Sequence, residues 1–125
     1  MTLDIIDIKN KFNQDGYAAI YSFFKDNKIE EIKNELIRYI KEIVPNLPKH
    51  HIFYEDKSNK NTIKNLQQMF NYDDYFKKLI EESSIQEIAS SILGEKAIPK
   101  NLQYFNKPAG VGKPTPPHQD GYYFM

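Results

Sequence analysis

The pattern of apolar residues changes kind at Gly94. Before it they recur every three or four residues; after it they fall in short runs punctuated by Pro and Gly. Helices first and strands last, without alternation, predict an α+β fold. Within the first part, Ile29, Ile32, Leu36, Ile40 and Ile43 form a one-face helical stripe. Asp26 is its cap candidate and Pro45 its stop. A short helix is predicted over residues 4–13 from Ile5, Ile8 and Phe12, broken by Gly16. "YAAIYSF" (17–23) then reads as a short buried strand. "HIFYE" is a candidate strand in a polar stretch from 45 to 61. Tyr72, Phe76 and Leu79 share a helical face. Ile85, Ile88 and Ile92 mark a last helix, with Ser84 as cap candidate and Gly94 at C′. "KAIP", "NLQYFNKP" and the closing "HQDGYYFM" read as strands.

Composition removes several function classes. With 125 residues the chain holds one domain at most. Lys plus Arg and Asp plus Glu both number 17, so no net charge draws the chain to nucleic acid or an anionic membrane. The lysines are scattered among acids, and the aromatics lie in apolar stripes rather than on a stacking platform. No apolar run approaches the roughly 18 residues of a membrane span. The N-terminus carries acids and no small-residue cleavage site, so a cytoplasmic location is expected. The absence of Cys excludes disulfides, thiolate metal sites and a thiol nucleophile.

The chemistry gathers at "PTPPHQDGYYFM" (114–125). In a strand, residues two apart point to one side, roughly 6–7 Å apart along the chain. His118 and Asp120 would then offer a neutral nitrogen and an anionic oxygen to one face, with Gln119 on the other. Joined by a second histidine, such a pair makes the two-His-one-carboxylate site of non-haem Fe(II) oxygenases, with positions left open for cosubstrate and O₂. The bland alternative is a surface histidine paired with a nearby acid. A third is a small zinc site built from His50, His51, His118 and Asp120, disfavoured by the gap between the pairs and the lack of Cys.

The longer string "NLQYFNKPAGVGKPTPPHQDGYYF" resembles the phytanoyl-CoA dioxygenase family of Fe(II)- and 2-oxoglutarate-dependent oxygenases. The opening "FNQDGYAAIYSFF" and the "SILG" before the strand region fit the same layout. The resemblance implies a double-stranded β-helix (jelly-roll) core with helices in front of it. It implies His118 and Asp120 as two of three Fe(II) ligands, and assigns Gln103, Tyr104 and Gln119 to the 2-oxoglutarate-binding side. The implied reaction activates O₂ at iron, decarboxylates 2-oxoglutarate to succinate and hydroxylates a small-molecule substrate.

In that family the third ligand, a histidine, and an arginine that grips 2-oxoglutarate both follow the His-x-Asp motif. Neither role can be matched here. His50 and His51 read as exposed loop histidines, and Arg38 as a solvated position on the long helix. Residues 1–125 are therefore expected to be one truncated oxygenase domain, with 1–94 mainly helical, 95–125 the first core strands and the jelly roll incomplete. The alternative is a catalytically inactive fragment, or a half-barrel that binds a complementary C-terminal chain.

Overall fold

The computed structural model describes residues 4–120. It is α+β: helices α1 (Ile5–Asp15), α2 (Asp26–Arg38), α3 (Met69–Tyr72), α4 (Asp74–Ile80) and α5 (Ser83–Leu93) accompany strands β1 (Ile52–Tyr54), β2 (Ile63–Leu66) and β3 (Tyr104–Phe105). The sheet has the order β1-β2-β3 and is antiparallel throughout. Ile52, Leu66 and Tyr104 lie opposite one another in one row of the register, and Phe53, Asn65 and Phe105 in the next. Because side chains alternate along a strand, the first row faces the core and the second the opposite side of the sheet, where Asn65 of the central strand is still covered. Accordingly Leu66 is fully buried while Phe105 is 75% exposed.

α2 begins at the expected cap itself, one residue earlier than a cap there would imply. Lys25 is the N-cap and makes no side-chain cap bond; Asp26 sits in the first turn, where its charge favours the helix N-terminus. The apolar stripe then runs into a π-helical turn at Tyr39–Ile43 and a 3₁₀ turn at Val44–Asn46. The cause is Pro45, which has no N–H to offer the carbonyl four residues back and whose ring crowds that carbonyl. The wider π turn relieves the conflict, and the Val44 N–H donates to the Tyr39 carbonyl instead. Tyr39, absent from the predicted stripe, becomes the most buried side chain of this segment, at 0% exposure.

Tyr39, Val44, Ile63, Leu66, Met69 and Phe76 form the core, with Leu36, Ile40, Ile43, Tyr72, Leu79 and Tyr104 among those packed around it. The Tyr39 and Phe76 rings meet edge to face, 5.5 Å between centroids. The Tyr39 hydroxyl is buried without a hydrogen-bond partner among the described residues. Burial, with the negative charge of Asp73 nearby, pushes its pKa up to about 12, so it stays protonated. A smaller contact joins α1 to α5, where Ile8 and Ile88 are each 8% exposed. Both helices close on left-handed glycines, Gly16 (φ 81°) and Gly94 (φ 76°), as the sequence predicted.

Arg38 corrects an expectation. It is part-buried and paired rather than simply solvated: its Nη2 donates to both oxygens of Asp73, at 2.9 and 2.8 Å, and its Nε donates to Glu35. Asp73 also N-caps α4, accepting from the Phe76 N–H at 3.3 Å. One carboxylate thus joins α2 to α4 across 35 residues of sequence. Three further corrections concern strands. Residues 17–23 are turn and irregular backbone, with Tyr17 and Tyr21 69% and 85% exposed. "KAIP" forms no strand, and β2, which the sequence reading missed, is the central strand of the sheet. Ser84 is not a cap: α5 starts at Ser83 with Glu82 as N-cap.

Asp73→Ala removes a cap and a charge-assisted bond together and is expected to cost about 2–4 kcal/mol in urea denaturation. Asp74→Ala, at an exposed neighbour, should stay within about 0.5 kcal/mol of the parent. Tyr39→Phe should raise stability by about 1 kcal/mol, since it removes a buried hydroxyl that has no partner among the described residues.

Candidate metal centre

The chain reaches the His-x-Asp pair along one path. At the end of β3, Asn106 is fastened to β2 twice: its N–H donates to the Lys64 carbonyl at 2.9 Å and its Nδ2 to the Ile63 carbonyl at 3.1 Å. Pro108 is buried, and its carbonyl accepts from the Gly112 N–H at 2.8 Å, closing a tight reversal. Gly110 sits in this turn at φ 80°. At Gly112 a Cβ would come within 3.0 Å of both the Pro108 carbonyl oxygen and the Lys107 Cβ, so only hydrogen fits. From Ala109 to Asp120 every residue is exposed.

This run is not the expected strand. Pro114, Pro116 and Pro117 bring no N–H groups to a ladder, so residues 113–119 stay irregular and Asp120 lies in a turn. Residues 121–125, the rest of the expected strand, lie outside the described residues. The two side chains meet nonetheless. His118 Nε2 stands 3.3 Å from Asp120 Oδ1, and His118 Nδ1 stands 2.9 Å from the Pro116 carbonyl oxygen.

Those two distances constrain the imidazole. A carbonyl only accepts, so Nδ1 carries the proton and donates. In the neutral ring Nε2 is then the lone-pair atom, and it faces a carboxylate oxygen. A proton on Nε2 makes this an ordinary imidazole–carboxylate contact, and a metal cation can take the same place. Metal-bound histidines commonly have their other ring nitrogen tied to a carbonyl in this manner. A first-row divalent ion held at about 2.1 Å by each atom, at a right angle, would hold the two donors about 3 Å apart. The 3.3 Å spacing and the nitrogen–oxygen donor set therefore fit two corners of an Fe(II) site. Among the described residues no group of three or more His, Asp or Glu side chains is gathered around a common point.

The remaining expected site residues are distributed along the sheet and the arm. Gln119 is exposed between the two candidate ligands. Gln103 is half-buried, and its Oε1 accepts from Asn65 Nδ2 at 3.2 Å. Tyr104 packs against the core from β3, and its carbonyl accepts from the same Asn65 amide at 3.1 Å. Asn65 is 5% exposed, an organising residue that the sequence reading did not single out; a polar residue inside an apolar strand was its only signal.

The other two histidines occupy a 3₁₀ turn, Lys49–His51. His50 is exposed as expected. His51 is not: it is half-buried, with Nδ1 2.7 Å from the Tyr72 hydroxyl and its ring 4.1 Å from that of His50. Tyr72 in turn borders an open cleft of about 660 Å³ lined by Phe70, Asn71, Asp73, Asp74 and Lys77.

The model of the family described as phytanoyl-CoA dioxygenase matches residues 12–125, and the chain belongs to that family. No curated protein and no solved structure matches it.

Burial, and secondarily the charge of His50, hold the His51 pKa below its ordinary value. The unfolded chain therefore takes up that proton first, at about pH 6.5, and stability should fall as pH drops below that value. Urea midpoints measured between pH 8 and 5 should show the decline, and His51→Gln should flatten it.

Proposed function

We propose that this chain supplies two of the three Fe(II) ligands, His118 and Asp120, of a 2-oxoglutarate-dependent oxygenase that hydroxylates a small molecule. The three-stranded sheet is, on this reading, part of the jelly-roll core that carries the metal. The observation that most supports it is the His118 ring. Its Nδ1 is tied to the Pro116 carbonyl and its Nε2 is turned to the Asp120 carboxylate, inside the span that matches the family.

The roles follow from the donor chemistry. His118 offers a neutral nitrogen, and Asp120 an anionic oxygen that offsets one of the two charges of the ion. Bound iron would supply O₂ activation coupled to the decarboxylation of 2-oxoglutarate. On this reading Gln103, Tyr104 and Gln119 belong to the 2-oxoglutarate-binding side; the Asn65 amide donates to the Gln103 side chain and the Tyr104 carbonyl. Arg38 is committed to Asp73 and Glu35, which leaves it poorly suited to grip the cosubstrate. We place the third ligand and the 2-oxoglutarate anchor outside residues 4–120, on further sequence or on a complementary chain. The substrate is not read from the family's name, because sites rather than folds set substrate.

The test is anaerobic Fe(II) titration with succinate formation as a second readout. His118→Ala and Asp120→Ala should each weaken iron binding by more than the roughly 10- to 100-fold that loss of a mere orienting partner causes. In protein carrying the complete ligand set, both should abolish iron-dependent succinate formation. Thermal stability should not change, since both residues are exposed. Iron affinity equal to the parent in both variants would overturn the assignment.

A further inference from the structure

Asn65, at 5% exposure, is a buried polar residue in the central strand of the sheet. Its Nδ2 meets two oxygens of the neighbouring chain, the Tyr104 carbonyl at 3.1 Å and Gln103 Oε1 at 3.2 Å. The carbonyl decides the direction of both amides. It only accepts, so the Asn65 atom that faces it is the nitrogen. That nitrogen has hydrogens to give and no place for a further donor, so the Gln103 atom beside it is the oxygen. A reversed Gln103 would set nitrogen against nitrogen. Gln103 Nε2 is thereby left without a hydrogen bond among the described residues, on a half-buried side chain. Asn65 shares its register row with Phe53 and Phe105, on the side of the sheet opposite the core, and Gln103 reaches it on that side.

We propose that Asn65 is a positioning residue: it holds the Gln103 amide by Oε1, so that Gln103 meets a ligand on this side of the sheet as a hydrogen-bond donor to a carboxylate. The inference rests on the reading that Gln103 belongs to the 2-oxoglutarate-binding side. It adds the direction of the bond and the residue that sets it. Asn65 is too covered to reach a ligand and acts through Gln103. An unanchored glutamine amide presents either end to a ligand, whereas one held by its oxygen presents only N–H groups. Those suit the anionic oxygens of 2-oxoglutarate, where bonds to a charged acceptor are the stronger kind.

Two variants separate anchor from donor. Gln103→Glu keeps an oxygen for Asn65 and replaces the outer donor with an anionic oxygen. It should lower 2-oxoglutarate affinity more than about tenfold, the weight of a lost bond to a charged group. Asn65→Val removes the anchor and leaves Gln103 in place. It should lower affinity about two- to tenfold, the net weight of one neutral hydrogen bond.

The experiment uses the full ¹⁵N-labelled chain with 2-oxoglutarate as the probe, under anaerobic conditions with and without Fe(II). In the parent, the Asn65 side-chain hydrogens should exchange slowly with water and those of Gln103 fast. Adding 2-oxoglutarate should move the Gln103 Nε2 resonance, a response that a purely structural role for Asn65 does not produce. Gln103→Glu should retain slow exchange at Asn65. Fast exchange at Asn65, or a Gln103 nitrogen that 2-oxoglutarate does not move, overturns the inference. Both are read in the parent, so neither depends on a variant that folds. Parental affinity in Gln103→Glu overturns it as well. If Gln103 responds while His118→Ala and Asp120→Ala leave Fe(II) binding unchanged, the role of Asn65 stands and the metal reading falls. If those variants lose iron and Gln103 does not respond, the metal reading stands and this inference falls.

Discussion

The ion pair between Arg38 and Asp73 is the contact on which the arrangement of this chain turns. A helix that ends beside a π turn has no straight path to the rest of the molecule, and α4 is too short to be stable alone. Asp73 answers both needs, capping α4 while its oxygens receive the guanidinium of Arg38 from α2. Its side chain is only 9% exposed, whereas that of Arg38 is 31%. The carboxylate thus pays most of the desolvation, and the two donors on one nitrogen are what offset it. With the helices pinned, Tyr39 and Phe76 close over β2, and the sheet has a floor to lie on.

How much of this was legible varies by element, and the reasons are physical. Helices with a repeating stripe and a glycine end, such as α5 before Gly94, could be read because both signals are local. The strands could not be read as reliably. β2 is four residues long, carries Lys64 and Asn65 between its apolar ends, and is defined by pairing with chain far away in sequence. "YAAIYSF" has strand composition but pairs with no strand among the described residues, and composition without a partner makes no sheet. Arg38 was misread because its partner lies 35 residues on, and position off an apolar stripe says nothing of what crosses above it.

The candidate site shows the converse. The nearness of His118 and Asp120 was anticipated through strand geometry, and the strand is not what produces it. A turn at Asp120 and a carbonyl at Pro116 bring the two side chains together in backbone that prolines keep out of any ladder. The spacing in sequence was informative; the secondary structure assumed for it was not. What the motif alone could not reveal was the orientation of the ring, because that depends on a backbone oxygen two residues earlier.

The exposure of the arm bears on metal identity. On the proposed reading, His118 and Asp120 contribute one nitrogen and one carboxylate oxygen from exposed positions on the arm. Such a pair ranks divalent ions in the Irving–Williams order, in which copper, nickel and cobalt bind more tightly than ferrous iron. On the proposed reading, discrimination in favour of iron cannot originate in His118 and Asp120. It must come from the ligand that completes the triad, from a chelating cosubstrate, and from which ions the surroundings make available.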